Sequence, residues 1–190
     1  MDKVLTIEDL SEDQLLTLAY CRDYDQYVAM VKDYLADKCP FCDPMNEELN
    51  HIIRESRGWR LWVSAFPIKN SELHLVMAPR YHVASVDDMT ASDFTDMGRL
   101  FMWARKKFKL IGGGFAMRFG SPKLSTCSVL HLHANVIVPN RKGNVRVTLA
   151  KEPQEIAEQL ARSRVFEKLR LGTELASLDP AEFKLVEGRV

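Results

Sequence analysis

The sequence predicts an α+β fold: an antiparallel sheet of about five strands, one long helix, and helical extensions at both ends. Short β-branched and aromatic segments recur between residues 59 and 149, which is typical of strands. Apolar residues repeat at helical spacing between residues 90 and 108 and again towards both ends. We find no internal repeat, so the 190 residues suit one domain over residues 39–150, an N-terminal extension over 1–38, and a C-terminal helix and tail over 151–190.

Helix boundaries are marked at both ends of the chain. Ser11 and Gln14 form a capping-box pattern, and one or two helices are predicted over residues 11–37, with Asp23 and Asp25 marking a break. Pro153 is predicted to open a helix and Gly172 to follow its end. The tail from residue 173 onward has little pattern.

The strands and the long helix fall between these extensions. The Thr90 and Asp93 pair predicts the start of the long helix, and the glycines at 112–114 stop it near residue 108. Residues 43–57 are polar and irregular, and residues 120–126 are predicted to be a loop. The predicted strands are residues 59–66, 73–78, 115–119, 128–138 and 144–149, the first two forming an antiparallel pair.

Composition excludes several classes of function. Basic and acidic residues balance at 26 each, so no global field recruits nucleic acid or an anionic membrane. No apolar run approaches the ~18–20 residues of a membrane span. The N-terminus is too polar for a secretory signal. Four cysteines with one close pair do not resemble a disulfide framework, which indicates a reducing, cytoplasmic setting.

Three polar residues two apart interrupt an apolar segment. On a strand, His131, His133 and Asn135 would share one face, because alternate side chains point to opposite sides. Leu132, Ala134 and Val136 would face the other way. This arrangement suggests a functional site; the alternative is a sheet edge that carries two solvated histidines.

The motif Cys39-Pro-Phe-Cys42 has three interpretations from the residues alone. It is similar to the redox pair of glutaredoxins, but it follows a helical region and no Thr-Val-Pro segment lies downstream. It can also be two unrelated core cysteines. As half of a structural zinc site it needs two more ligands of the Cys or His type.

Taken together, three blocks resemble the histidine triad (HIT) hydrolases and nucleotidyl transferases. They are Cys39-Pro-Phe-Cys42, Leu73-His-Leu-Val-Met-Ala-Pro-Arg-Tyr-His82 and Ser128-Val-Leu-His-Leu-His-Ala-Asn-Val-Ile-Val-Pro139. Their order and spacing correspond to the family pattern over residues 39–150. The resemblance implies a HIT-like fold and an enzyme acting at the α-phosphate of a nucleotide derivative: a dinucleoside polyphosphate, a phosphoramidate or a nucleotide sugar.

The resemblance also implies a structural Zn²⁺ site. In zinc-containing members the ligands correspond to Cys39, Cys42, His82 and His131, a closed set with no open position. The alternative for His82 is a surface histidine that begins the loop to the long helix.

His133 corresponds to the nucleophile, which would form a covalent nucleotidyl-histidine. A hydrogen bond from its other ring nitrogen to a backbone carbonyl would fix the tautomer. Ser128 corresponds to a phosphate-contacting serine, and Arg118 is either a charged phosphate donor or a solvated strand residue. The base and ribose would lie around Ser64, Phe66 and Pro67. His74 is a supporting residue or an ordinary strand histidine, and His51 is predicted to be solvated.

The chain departs from the family pattern at Asn135, where the third histidine should stand. An amide cannot titrate, although it can donate to a phosphate oxygen. Nucleotide-transferring branches carry Gln there, which favours transfer or phosphorolysis. Phe66 replaces a common Asp, and residues 123–127 lack the usual Gly-Gln. The alternative function is a non-catalytic, zinc-stabilised nucleotide-binding or interaction module.

The resemblance further implies a homodimer, formed through the long helix and a sheet edge. Phe101 and Trp103 fit that interface and fit intramolecular packing equally well.

Overall fold

The computed structural model describes residues 6–42 and 49–190. The chain divides into two compact units. Unit 1 comprises Met1–Cys39, Ser121–Leu130 and Thr148–Val190, and unit 2 comprises Pro40–Gly120 and His131–Val147. Residues 43–48, in the stretch predicted to be polar and irregular, lie outside the described residues. Within the described ranges, no helix is both long and apolar enough to cross a membrane.

The regular elements confirm the α+β class. The helices are α1 (Glu12–Ala19), α2 (Tyr24–Leu35), α3 (Ala91–Lys107), α4 (Pro122–Ser125), α5 (Pro153–Arg170) and α6 (Pro180–Val186). The strands are β1 (Ile52–Glu55), β2 (Trp59–Val63), β3 (Ser71–Pro79), β4 (Gly114–Arg118) and β5 (His133–Pro139).

Unit 2 contains a five-stranded sheet in the order β1-β2-β3-β5-β4. Every neighbouring pair is antiparallel, which confirms the predicted pairing of residues 59–66 with 73–78. β3 and β5 are central and have a partner on both sides. β5, which carries His133 and Asn135, is therefore held by two ladders of backbone hydrogen bonds.

The helix α3 covers one face of this sheet. It begins at the predicted capping box, where the Thr90 N–H donates to Asp93 Oδ2 at 2.8 Å and the Asp93 N–H donates to Thr90 Oγ1 at 3.3 Å. Burial of its apolar stripe fixes the helix on the sheet. The core of this face consists of Trp59, Leu61, Leu75, Met77, Leu100, Ala104, Ala134 and Val136.

The opposite face of the sheet carries the polar residues of interest. Trp62, Val76 and Ala78 form a small apolar cluster there, with Phe41 packed against it. His133 and Asn135 alternate with Ala134 and Val136 along β5, so their side chains also point to this face. One face of the sheet is thus packed as a hydrophobic core, and the other carries the polar side chains of His133 and Asn135.

Unit 1 contains the helical extensions. The Ser11 hydroxyl accepts from the Gln14 N–H at 3.2 Å, and Asp23 accepts from the Gln26 N–H at 2.9 Å, so the predicted break falls at Asp23. As predicted, Pro153 opens α5 and Gly172, at φ +100°, follows its end.

An aromatic core with one polar link joins α2 and α5 of unit 1. The Tyr27 ring lies 5.5 Å from that of Phe166, and the Tyr27 hydroxyl donates to the Glu167 carboxylate at 3.0 Å. Arg170 donates two hydrogen bonds to the same carboxylate. These contacts hold Tyr27 and Glu167, both buried, with their polar groups satisfied.

The predicted strand over residues 144–149 is wrong. Among the described residues they pair with no strand. Two of their carbonyls accept from side chains instead, with Asn70 donating to Asn144 O at 2.9 Å and Thr126 to Thr148 O at 2.6 Å. The fifth strand is β1, inside the segment predicted to be irregular. All four of its residues are exposed, so it lacks the alternation that marks a half-buried strand.

Three further boundaries differ from the prediction. The strand predicted over 128–138 begins only at His133, because residues 128–131 bend, and the strand predicted over 59–66 ends at Val63. The predicted loop 120–126 contains α4, which Ser121 caps and Pro122 opens. The tail contains α6, whose first N–H groups are capped by Asp179. A Ser-Pro pair at the start of α4 and an Asp-Pro pair at the start of α6 were the sequence signals that could have predicted these helices.

Candidate active site and metal centre

His133, the first residue of β5, has its tautomer set by the backbone. Its Nδ1 lies 2.8 Å from the carbonyl oxygen of His131, as predicted. A carbonyl only accepts, so Nδ1 carries the proton and Nε2 keeps its lone pair. Burial, followed by the nearby charge of Arg118, lowers the pKa of His133 to about 3. The imidazole is therefore neutral near pH 7, as a nitrogen nucleophile must be.

His74 and Asn135 form a buried pair beside it. The Ile68 N–H donates to His74 Nδ1 at 3.2 Å, so His74 carries its proton on Nε2. That nitrogen lies 2.8 Å from Asn135 Oδ1. The Asn135 amide nitrogen points towards the carbonyl oxygen of Ala116 at 3.4 Å. His74 thus fixes the orientation of the Asn135 amide and supports this side chain.

Arg118 lies on the same face as His133. The two residues are direct partners in the β4–β5 ladder, and directly opposed residues of an antiparallel pair project to the same side. The guanidinium charge accordingly lowers the pKa of His133. Arg118 therefore places a cation near the His133 imidazole.

Phe41 contacts the same cluster and was given no role from the sequence. Its ring centre lies 5.0 Å from that of Trp62, 5.4 Å from that of His133 and 6.0 Å from that of His131, all edge to face. The one available signal was its position between two cysteines. Phe41 restricts the orientation of the His133 ring.

Four side chains group into a candidate metal centre. The ligand atoms of Cys39, Cys42, His82 and His131 all lie within 4.8 Å of one another. Cys42 Sγ is 3.4 Å from His82 Nδ1 and 3.5 Å from His131 Nδ1. Tetrahedral zinc with bonds of about 2.0–2.3 Å separates its ligand atoms by roughly 3.3–3.8 Å. The cluster is consistent with zinc, and this Cys₂His₂ set favours a metal over a redox pair.

The orientation of His131 supports the same interpretation. Its Nε2 lies 3.0 Å from the Pro79 carbonyl, so Nε2 carries the proton and Nδ1 is left for a metal. Burial, followed by the nearby His82, lowers the pKa of His131 to about 4. The neutral imidazole, which binds metals, is therefore the dominant form.

The remaining predicted site residues lie in two places. The loop after β2 contains Ser64, Phe66 and Pro67, and the Ser64 hydroxyl donates to the Phe66 carbonyl at 3.0 Å. Phe66 is half-buried and Pro67 is exposed. Ser128 lies in unit 1, where its hydroxyl accepts from the Gln26 amide at 3.2 Å. His51 is exposed. The roles of Ser64, Phe66, Pro67 and Ser128 stay predictions.

Comparisons with known proteins give fold likenesses only. No protein-family model and no curated protein matches the sequence. A histidine triad nucleotide-binding protein from Candida albicans has a TM-score of 0.47 at 20% identity, covering 75% of this chain and 100% of its own. A Zn-bound histidine triad family protein from Mycobacterium smegmatis has a TM-score of 0.38 at 19% identity, covering 65% and 88%. Plasmodium falciparum diadenosine triphosphate hydrolase has a TM-score of 0.40 at 13% identity, covering 62% and 74%. We interpret the site from its own geometry.

Proposed function

We propose that this chain is a HIT-type enzyme that hydrolyses or transfers at the α-phosphate of a nucleotide derivative through a covalent nucleotidyl-His133. The observation that carries the proposal is the 2.8 Å hydrogen bond from His133 Nδ1 to the His131 carbonyl oxygen. It leaves Nε2 as the nucleophilic atom, on the sheet face that also holds Arg118, His74 and Asn135. The sequence blocks that resemble the HIT family support the same reaction class.

The first step forms a bond from His133 Nε2 to the α-phosphorus. The bond from phosphorus to the leaving group breaks, and its electron pair departs with that group. The imidazole becomes positively charged, and the His131 carbonyl stabilises it through the Nδ1 proton. Arg118 and the Asn135 amide would donate to the phosphate oxygens. Water, or a phosphate-bearing acceptor, then forms a bond to phosphorus as the bond to Nε2 breaks. The electron pair of that bond returns to Nε2, which restores the neutral imidazole, and the proton of an attacking water passes to solvent.

Asn135 bears on the choice of leaving group. An amide supplies no proton, so a group that departs as an amine or alkoxide gains no acid catalysis from this position. A phosphate departs as an anion without a proton. We therefore place dinucleoside polyphosphates and nucleotide sugars ahead of phosphoramidates, with transfer or phosphorolysis as an alternative fate of the intermediate.

The proposal includes a structural zinc held by Cys39, Cys42, His82 and His131. When bound, the ion would supply a cross-link between the Cys39–Cys42 turn and His131, two positions before β5, and no reaction chemistry, because all four positions are filled. Thiolate ligands must stay reduced, which supports a cytoplasmic setting.

The nucleoside part of the substrate is proposed to lie around Ser64, Phe66 and Pro67, with Ser128 contacting phosphate. A homodimer is also proposed. Its support is the sequence resemblance, together with the free edge that β4 presents at the end of the sheet.

The test is to trap the intermediate. The protein is mixed with α-³²P-labelled diadenosine polyphosphates, nucleotide sugars and adenosine phosphoramidate, with and without phosphate, and then denatured quickly. We expect label on the wild-type chain and turnover of at least one phosphate-leaving substrate. His133→Ala should lose both while keeping its metal and its melting temperature, and His51→Ala, a change at an exposed histidine, should behave like wild type. Full turnover by His133→Ala would refute the mechanism.

One observation favours the alternative of a non-catalytic nucleotide-binding module. Asn135 is held by His74 and the Ala116 carbonyl, and it cannot titrate. Such a module would bind a nucleoside monophosphate, and no label would be trapped with any substrate of the panel. A labelled His133 excludes this alternative.

A further inference from the structure

A cavity of about 710 Å³ lies in unit 1, lined by one face of α5 and one face of α6. Ligand sites in proteins range over about 300–1,000 Å³. The α5 residues Glu158, Gln159 and Arg162 face it, at the spacing of three and four that places side chains on one helix face. None of the residues of the candidate active site or metal centre lines this cavity.

Two arginines are held side by side at this cavity. Arg162 Nη2 donates to the carbonyl oxygens of Ala19 and Cys21, both at 3.1 Å. Arg189 Nη1 donates to the next carbonyl, that of Arg22, at 2.8 Å. Both guanidiniums are therefore anchored to the same short segment, from the last residue of α1 to Arg22. Carbonyls orient these groups but do not neutralise their charge.

Lys151 adds a third cation to the pair. Burial lowers the pKa of its ammonium, Glu155 raises it, and Arg162 and then Arg189 lower it further. Burial and then Arg189 lower the pKa of Arg162 to about 10. Each positive charge thus disfavours the others. An anion bound among them would relieve this repulsion.

Carboxylates of the same lining offset this repulsion only in part, through Glu155. Glu155, Glu158 and Glu187 line the cavity, but within the described part of the chain no ion pair joins them to these three cations. The Glu155 carboxylate instead accepts from the Glu152 N–H at 3.1 Å at the start of α5.

Two buried polar atoms also need a partner. Gln159 Oε1 and Arg162 Nε are buried, and neither has a hydrogen-bond partner among the described residues. Buried polar atoms are nearly always satisfied by protein, water or a ligand. One of these atoms accepts and the other donates, so a fitting ligand carries both an anionic oxygen and a hydroxyl.

We propose that this cavity binds a small phosphomonoester. The phosphate oxygens would accept from Arg162, Arg189 and Lys151, and a hydroxyl of the ligand would donate to Gln159. Three cationic donors match a group of up to two negative charges with three acceptor oxygens better than they match one carboxylate. The inference is independent of the reaction proposed for His133.

Isothermal titration of the full chain with glycerol 3-phosphate tests the proposal. Lys151→Gln removes a cation that makes no hydrogen bond among the described residues, so the fold should survive. Arg189→Gln is the second variant. Arg164→Gln is the matched control, because Arg164 is an exposed residue of α5 that does not line the cavity. We expect wild type and Arg164→Gln to bind alike, and Lys151→Gln and Arg189→Gln to bind about tenfold more weakly.

Two further measurements test where the ligand binds and which ligand is preferred. The Nε–H resonance of Arg162 should shift on titration in ¹H–¹⁵N spectra, and succinate should bind more weakly than glycerol 3-phosphate. Absence of binding, equal affinity in wild type and Lys151→Gln, or tighter binding of succinate would each overturn the proposal. Binding at the candidate active site alone would give that equal affinity.

Discussion

Asn135 is the residue that sets this chain apart from the pattern it resembles. A histidine at this position would offer a titratable ring, whereas the amide accepts a hydrogen bond from His74 at 2.8 Å and presents its nitrogen to the other side. A neutral side chain therefore satisfies the hydrogen-bonding groups around this position. The His74–Asn135 pair supports the geometry of the site without moving a proton.

Replacing the amide should cost both stability and activity. In Asn135→Ala the buried His74 Nε2–H loses its acceptor, and we expect the free energy of unfolding to fall by about 1–3 kcal/mol. Urea denaturation measures this loss. Asn140→Ala is the control, because Asn140 Oδ1 accepts only from the Lys142 N–H in an exposed turn. A change of roughly 0.5 kcal/mol or less is expected there. Equal losses in the two variants would contradict the role given to the pair.

At the residue scale, sequence patterns predicted which side chains share a face of the sheet, but not the contacts that those side chains make. The spacing of His131, His133 and Asn135 suggested a shared face, and β5 places His133 and Asn135 on the same side. His131 precedes the strand in a bend and is oriented by the Pro79 carbonyl. The partner of Asn135 was not predictable, because it depends on the register between β3 and β5, which local periodicity does not encode.

At the scale of elements, the Cys39–Cys42 turn depends on its candidate metal. Cys42→Ser removes one of four ligands, so we expect bound zinc to fall from about one equivalent to near zero and the melting temperature to drop by about 5–10 °C. Plasma emission spectrometry and thermal denaturation measure the two quantities. Cys127→Ser, a change outside the cluster, should keep its zinc. A zinc-free wild-type protein would refute the metal assignment.

The start of β4 depends on a glycine. Gly113 has φ +150°, and a Cβ there would lie 2.5 Å from the Ile137 carbonyl oxygen of β5. Gly113→Ala should therefore destabilise the protein by about 1–3 kcal/mol, as measured by chemical denaturation. Gly112→Ala is the control, since a Cβ at that position meets no atom within 4 Å. Similar stabilities in the two variants would show that β4 and β5 adjust to the extra methyl group.

Elements with strong local signals were predicted well, and exposed ones were not. Caps and apolar stripes located α1, α2, α3 and α5, because those signals act within a few residues. β1 is short and exposed on both faces, so no alternation marked it. Residues 144–149 alternate like a strand, but side chains of Asn70 and Thr126 satisfy their carbonyls instead.

At the scale of the whole molecule, the proposed dimer is the main open prediction. β4 lies at one end of the sheet, and Phe115 on it is 42% exposed with its ring 5.1 Å from that of Phe101. We expect sedimentation equilibrium to give twice the chain mass for wild type and the chain mass for Phe115→Lys. Phe183→Lys, at an equally exposed phenylalanine of unit 1, should stay dimeric. A monomeric wild-type chain would contradict the prediction.

The central position of β5 has a consequence for how the molecule opens. Because β5 is paired on both sides, each of its ladder amides is bonded to β3 or to β4, and it can exchange with deuterated solvent only when that ladder separates. Those of β1, at the edge, can exchange after local fraying. The backbone that carries His133 and Asn135 should therefore be among the slowest to exchange. Partly opened forms that have lost β1 would then still hold the strand of His133 and Asn135 in place.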